Sequence, residues 1–89
     1  MQANEKKIPY GNNDGVVIRS TVDIGQAVRQ QRKQLAMNQL DIAGMGNTGN
    51  RFIVELERGK PTIQLQKVLD VMDLLGLEMV VRPKSTRGF

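Results

Sequence analysis

Residues 39–59, QLDIAGMGNTGNRFIVELERG, decide the fold. They read as two short helices joined by a tight turn. Helical residues are spaced about 100° apart, so the second helix divides into two faces. Phe52, Ile53 and Leu56 share one arc of about 100°, the width of a core-facing stripe. Arg51, Val54, Glu55 and Arg58 share the opposite arc. Asn50 and Glu57 lie together on one edge between the faces. A helix anchored by an apolar stripe, after a short turn from a preceding helix, is the helix-turn-helix arrangement. Its outward side chains are of the kind that read base edges in a major groove.

On either side the sequence supplies the supports. Asn38 and Asp41 have N-cap spacing, which predicts a helix over 39–45 with Ile42 and Ala43 inward. Gly44 and Gly46 weaken its end, and Asn47 suits a left-handed turn position. Thr48 is placed to cap the next helix, over 49–58, and Gly59 to stop it. Upstream, Ser20 and Asp23 have capping-box spacing. Ile24, Ala27, Val28 and Leu35 then repeat at the helical period. Arg32 falls on that apolar stripe, where an unpaired charge is costly. It either snorkels to water or has a buried partner. Arg29 and Lys33 lie on other faces and read as solvated.

Downstream, Thr62 is placed to cap a fourth helix over 63–75, with the stripe Leu65, Val68, Leu69, Met72 and Leu75, and Gly76 ends it. Residues 77–82, LEMVVR, alternate as a strand, closed by Pro83. Leu77, Met79 and Val81 point one way; Glu78, Val80 and Arg82 point the other. A lone strand leaves its backbone groups unpaired. Its partner is either the GVVIR run at 15–19 or the same strand of a second chain. The second is expected: a two-stranded antiparallel ribbon about a two-fold axis, with Leu77, Met79 and Val81 laid on the Leu69 and Met72 side of the fourth helix.

A chain of 89 residues is expected to form one small domain with little core to spare. We divide it into an arm over 1–19 that includes the short strand candidate, a helix-turn-helix domain over 20–76, a dimerisation strand over 77–83 and a tail over 84–89. There is no Cys and no His. Disulfides, thiolate metal sites and Ser-His or Cys-His nucleophile pairs are thereby removed, so an enzyme is not expected, nor a metal, cofactor or small-molecule ligand. A net charge of +4 fits a nucleic-acid partner. The only aromatic residues are Tyr10, Phe52 and Phe89, too few for a platform that stacks single strands. The five Met residues read as core filler. No apolar run approaches the roughly eighteen residues of a membrane span, and no signal-peptide core opens the sequence. A cytoplasmic protein is expected. Lys6 and Lys7 are placed to touch phosphate or to remain solvated in the arm. Phe89 is either a free end or an anchor for a partner protein.

These residues carry a resemblance. Arg32, Asn38-Gln39, Ile42-Ala43, Arg51-Phe52-Ile53, Leu56-Glu57 and Gly59-Lys60 make the chain from 22 to 76 similar to the Cro/cI-type (XRE) helix-turn-helix family. The spacing from Gln39 to Phe52, the run RFIVELERGKPT and a strand after the helices resemble the HipB-like antitoxins of toxin–antitoxin operons. The resemblance implies a mainly α domain of four to five helices, with the C-terminal strand forming an intermolecular ribbon in a homodimer. It implies DNA contact at Asn38, Gln39, Thr48, Gly49, Asn50, Arg51, Glu55 and Lys60, with Gln39 gripping phosphate and Lys60 in a loop that touches the backbone. It pairs Arg32 with Glu57 as a buried ion pair, which gives Arg32 its missing partner. It implies a repressor of near-palindromic operator DNA in the bacterial cytoplasm, associated with the nucleoid when bound, and partnered with a HipA-like kinase toxin. A stand-alone phage-type repressor and a protein-binding inhibitor with incidental DNA affinity are the alternatives. Three positions depart from the family pattern. Gly46 stands where a small or branched apolar residue is usual, Asn47 where Gly is usual, and Gly49 offers only backbone to a base.

Overall fold

The computed structural model describes residues 15–84. Lys6 and Lys7 of the arm and Phe89 of the tail lie outside the described residues. Four helices follow in order: α1 (Thr21–Gln34), α2 (Gln39–Met45), α3 (Asn50–Arg58) and α4 (Leu65–Leu74). The core is built from one or two residues of each: Val28 of α1, Ile42 and Ala43 of α2, Ile53 and Leu56 of α3, and Val68 and Val71 of α4, closed by Leu75. Helix α3 packs against both α1 and α2, and α4 closes the other side of α2. Among the described residues no helix is long and apolar enough to cross a membrane.

The helix ends follow from local chemistry. Ser20 Oγ accepts from Asp23 N at 3.3 Å and starts α1. Asn38 and Asp41 form a reciprocal capping box, each side chain accepting from the other's backbone N–H at 2.8 Å. Every helix ends in the same way. The first or second residue past the helix is left-handed, and the next N–H returns to the carbonyl five residues back. The four left-handed residues are Ala36 (φ 57°), Asn47 (φ 52°), Gly59 (φ 83°) and Gly76 (φ 77°). The returning bonds run from Met37 to Arg32, Thr48 to Ala43, Lys60 to Glu55 and Leu77 to Met72, at 2.8 to 3.1 Å. Asn47, Gly59 and Gly76 are residue types that tolerate this backbone; Ala36 is not.

Several expectations need correction. Thr48 does not cap α3. Its N–H is spent on Ala43, Gly49 takes the N-cap position without a side-chain bond, and the Thr48 hydroxyl is buried with no hydrogen-bond partner among the described residues. Thr62 does not cap α4 either. The chain turns at 60–63 through Ile63 N to Lys60 O, so α4 starts later, after Gln64. That shift turns the stripe: Val71 is buried and Leu65 is exposed, while Ile63 reaches the core from ahead of the helix. Leu35 is exposed because it caps α1 where the chain swings away at Ala36.

Among the described residues, 77–84 form no ladder, and neither does the run at 15–19. The described residues thus show neither run paired with the other. Of the face expected on α4, only Leu77 packs against the core; Met79 and Val81 are exposed. The bond from Leu77 N to Met72 O holds the segment only at its first residue.

Candidate nucleic-acid interface

The position of α3 is set first by backbone contact. Gly25 of α1 faces the carbonyls of Leu56 and Glu57 so closely that a Cβ there would lie 2.5 and 2.7 Å from their oxygens. At the other end, a Cβ on Gly59 would come within 2.6 Å of the Val22 Cα. Thr21 Oγ1 donates to the Gly59 carbonyl at 2.8 Å across the same junction. Glycine at 25 and 59 therefore lets two helix backbones touch where any side chain would hold them apart. Sequence reasoning took Gly59 as a helix stop and passed over Gly25. The signal was there: a glycine in the middle of an otherwise regular helix marks a close approach.

A buried polar network fixes the rotation of α3. Arg32 donates to both Glu57 carboxylate oxygens, from Nε at 2.6 Å and from an Nη at 2.9 Å. Its other Nη donates to the Met37 carbonyl at 2.9 Å, and Gln39 Nε2 donates to Glu57 Oε1 at 3.0 Å. The Arg32 and Glu57 side chains are only 10% and 4% exposed. The hydrogen bonds to Glu57 raise the Arg32 pKa above its ordinary value despite burial, so the guanidinium stays charged. One carboxylate thus ties α3 to α1, and the start of α2 to both. The planar fork of Arg suits this bidentate geometry.

The opposite face of α3 is open. Asn50, Arg51 and Arg58 are exposed, with Val54 and Glu55 half-buried beside them. Arg51 Nε donates to Glu55 Oε2 at 3.1 Å, and Lys60 Nζ donates to Glu55 Oε1 at 3.3 Å. The Arg51 side chain is 88% exposed and that of Glu55 26%. The hydrogen bond from Arg51, then that from Lys60, lowers the Glu55 pKa below the ordinary carboxylate range. Both Glu55 oxygens are occupied, so in the free chain Glu55 orients Arg51 and leaves its two terminal nitrogens outward. Phe52 lies at the border with the core, with Lys67 Nζ 5.5 Å from its ring centroid.

The structure thus places Asn50, Arg51 and Glu55 on α3, Lys60 in the turn after it, and Gln39 at the start of α2, bonded to α3 through Glu57. Asn38 is engaged as the α2 cap, Gly49 is exposed backbone at the start of α3, and the Thr48 hydroxyl faces inward. Residues 77–82 are separate from this surface in the chain's own contacts. Two arginines outside the predicted set belong beside it. Arg29 and Arg58 line a polar cleft together with Gln39 and Val54, over a floor of Arg32 and Glu57. Arg58 was legible, since it sits at the centre of the outward arc. Arg29 was not, because only the packing of α1 on α3 brings it there.

No protein-family model matches the chain. Over 70 residues it is 49% identical to y4mF of Sinorhizobium fredii, an uncharacterized HTH-type transcriptional regulator, spanning 79% of this chain and 92% of that protein. Its fold is similar to a solved HipB–O4 20mer complex, with a TM-score of 0.73 and 18% identity, over 79% of this chain and 99% of that one. By sequence the chain belongs to the HTH-type transcriptional regulators, and it is built on a helix-turn-helix fold of the HipB kind.

Proposed function

We propose that this regulator is a sequence-specific repressor that binds near-palindromic double-stranded operator DNA as a homodimer. The observation that carries the reading is the division of α3. Its inner face is locked by Glu57, Gly25 and Gly59, while its outer face presents Asn50, Arg51 and Arg58 to solvent. A rigid helix with outward Arg and Asn suits a major groove: Arg reads guanine O6 and N7, Asn reads adenine N6 and N7. Gln39, at the start of α2, and Lys60, in the turn after α3, are the phosphate contacts that fix register. The family membership supports the regulatory role, and regulators of this family are not enzymes.

In the finer reading the protein is an antitoxin that represses its own operon in the bacterial cytoplasm and neutralises a HipA-like kinase toxin. Support comes from the fold shared with HipB and from the strand-like sequence after α4. The stand-alone repressor is the second reading, favoured by the description of y4mF as a transcriptional regulator and no more. Residues 77–82 supply the dimer contact, each pairing with its own copy. Their backbone has no ladder partner among the described residues, and Val80 and Val81 are exposed. The two recognition helices then stand about 34 Å apart, to enter successive major grooves on one face of the duplex.

Two measurements test the reading. Fluorescence anisotropy against the chain's own promoter region and against random duplex should give tighter binding to the promoter; equal affinity contradicts a sequence-specific repressor. Sedimentation should find a dimer that Val80→Pro separates by removing a ladder donor. A tight dimer with unchanged promoter affinity in that variant would move the interface to the helices. Co-purification of a kinase from the native cell decides between antitoxin and stand-alone repressor.

A further inference from the structure

Gly46 leaves a space that a side chain would enter. A Cβ there would lie 3.1 Å from Leu74 Cδ1 and 3.7 Å from Thr48 Cγ2. Without one, a cavity of about 160 Å³ stands between the turn at 46–48 and α4. Val71 and Leu74 give it an apolar side. The polar groups around it are unused. The Thr48 hydroxyl is buried with no hydrogen-bond partner among the described residues, and the Asn47 carboxamide makes no hydrogen bond there either. Lys67 and Asp70 line the same cavity from one turn of α4, and residues at that spacing are neighbours on a helix. They form no ion pair with each other. Lys67 Nζ lies over the Phe52 ring at 5.5 Å, and Asp70 accepts from Gln66 Nε2 at 3.1 Å. One cation and one carboxylate thus border a small space, and neither neutralises the other.

The geometry points to a binding site for a small zwitterion of the α-amino acid class. A cavity of about 150 Å³ holds a molecule the size of benzene, which matches the shortest amino acids. The ligand carboxylate goes to Lys67 and its ammonium to Asp70, each through a charge-assisted hydrogen bond. A ligand with one charge would satisfy only one of the two. The ligand's carbon atoms meet Val71 and Leu74, and a change of χ1 rotamer gives the Thr48 hydroxyl the partner it lacks. The absence of Cys and His bears on nucleophiles and thiolate metal sites, and not on recognition by Lys, Asp and a hydroxyl. The place of the site gives it a consequence. The turn at 46–48 leads into α3, and α4 leads into residues 77–82. A ligand that bridges turn and α4 holds the start of α3 in place, so it acts as an effector that tightens promoter binding. That consequence rests on the reading of α3 as a DNA-recognition helix; the site itself does not.

The test titrates glycine, L-alanine and L-serine into the full chain without DNA and follows its amide signals by NMR. At least one should give saturable shifts centred on Asn47, Thr48, Lys67 and Asp70. Acetate and methylammonium each carry one of the two charges, and should bind about tenfold more weakly or worse for want of one charge-assisted hydrogen bond. Asp70→Asn and Lys67→Gln should each lose about tenfold in affinity for the same reason. Both side chains are exposed, so these variants keep the fold. Gly46→Ala keeps every charge and should weaken binding by filling the space. Asp73→Asn removes the same charge from the same helix outside the cavity, and should bind as the wild type does. No saturable shift with any of the three amino acids overturns the site. So does equal binding of acetate, or an equal loss in Asp73→Asn. Saturating amino acid should then raise wild-type affinity for promoter duplex and leave that of Asp70→Asn unchanged. Binding that leaves wild-type promoter affinity unchanged overturns the effector role, while the DNA reading stands. Failure of the wild type to bind any duplex overturns the DNA reading, and the titration without DNA still decides the site.

Discussion

Glu55 and Glu57 stand two residues apart on the same short helix, in opposite surroundings. Glu57 points inward, 4% exposed, and takes hydrogen bonds from Arg32 and Gln39. Glu55 points outward, 26% exposed, and takes them from Arg51 and Lys60. Each carboxylate organises an arginine and one further side chain. What differs is water. A buried pair is worth most when it is complete, because losing one member strands the other in a medium that cannot solvate it. An exposed pair is screened and holds a geometry more than it holds the fold. The inner carboxylate therefore fixes where α3 lies, and the outer one fixes what α3 presents.

Removing Glu57 should have the largest effect. Glu57→Ala strands Arg32 and should cost about 3–5 kcal/mol in a urea melt, whereas a surface pair would cost under about 1 kcal/mol. A loss below that smaller figure would erase the distinction between the two carboxylates. Next comes Gly25→Ala. The added Cβ presses on the carbonyls of Leu56 and Glu57 themselves, so the cost should be about 1–3 kcal/mol, the range for overpacking. An unchanged melt would mean that α1 does not set the seat of α3.

Smaller and opposite in sign is Ala36→Gly. Ala36 holds the left-handed turn that carries the Met37 carbonyl to Arg32. Left-handed backbone costs a residue with a Cβ about 1–2 kcal/mol, so glycine should stabilise by about 1 kcal/mol. A loss of stability would show that the turn is not strained. The smallest effect on folding belongs to Glu55→Gln, which should leave the urea midpoint where it is. Its signature is pH dependence. Because Arg51 and Lys60 lower the folded-state pKa of Glu55, the links they make are complete above the ordinary carboxylate range and are lost as pH falls through the lowered value. Wild-type preference for promoter over random duplex should fade over that acid window. Glu55→Gln should have the reduced preference at neutral pH and show no such change. Identical acid profiles in the two proteins would remove Glu55 as the group that aims Arg51.

The recognition helix was the most legible part of the sequence. Nine residues with a clean two-faced pattern and a glycine stop allow few alternatives, and the Asn38–Asp41 spacing marks α2 at its observed bounds. The partnership of Arg32 with Glu57 came from the family resemblance; the residues alone showed only a charge on an apolar stripe. Other features were hidden because they depend on three-dimensional crowding. Gly25 matters only once α3 lies against it. Ala36 has no sequence mark of left-handed backbone. Arg29 looks like any solvated arginine until the helices are packed. The caps at Thr48 and Thr62 failed for a local reason: the returning bond and the turn ahead of each helix move its N-cap on to Gly49 and to Gln64, past those hydroxyls. Residues 77–82 read as a strand by alternation, yet alternation says nothing about which chain supplies the partner.

The outward face of α3 is held to read base sequence through Arg51, and one measurement bears on this directly. It is the affinity of Arg51→Ala for promoter duplex and for random duplex, side by side at one salt concentration. Removing an arginine that reads guanine should cost about 1–3 kcal/mol on the promoter, with a smaller penalty on random duplex, so that discrimination falls at one base position. Gln39→Ala, which removes a phosphate grip, should weaken both duplexes alike. Equal penalties on the two duplexes for Arg51→Ala would contradict a base-reading role for this helix.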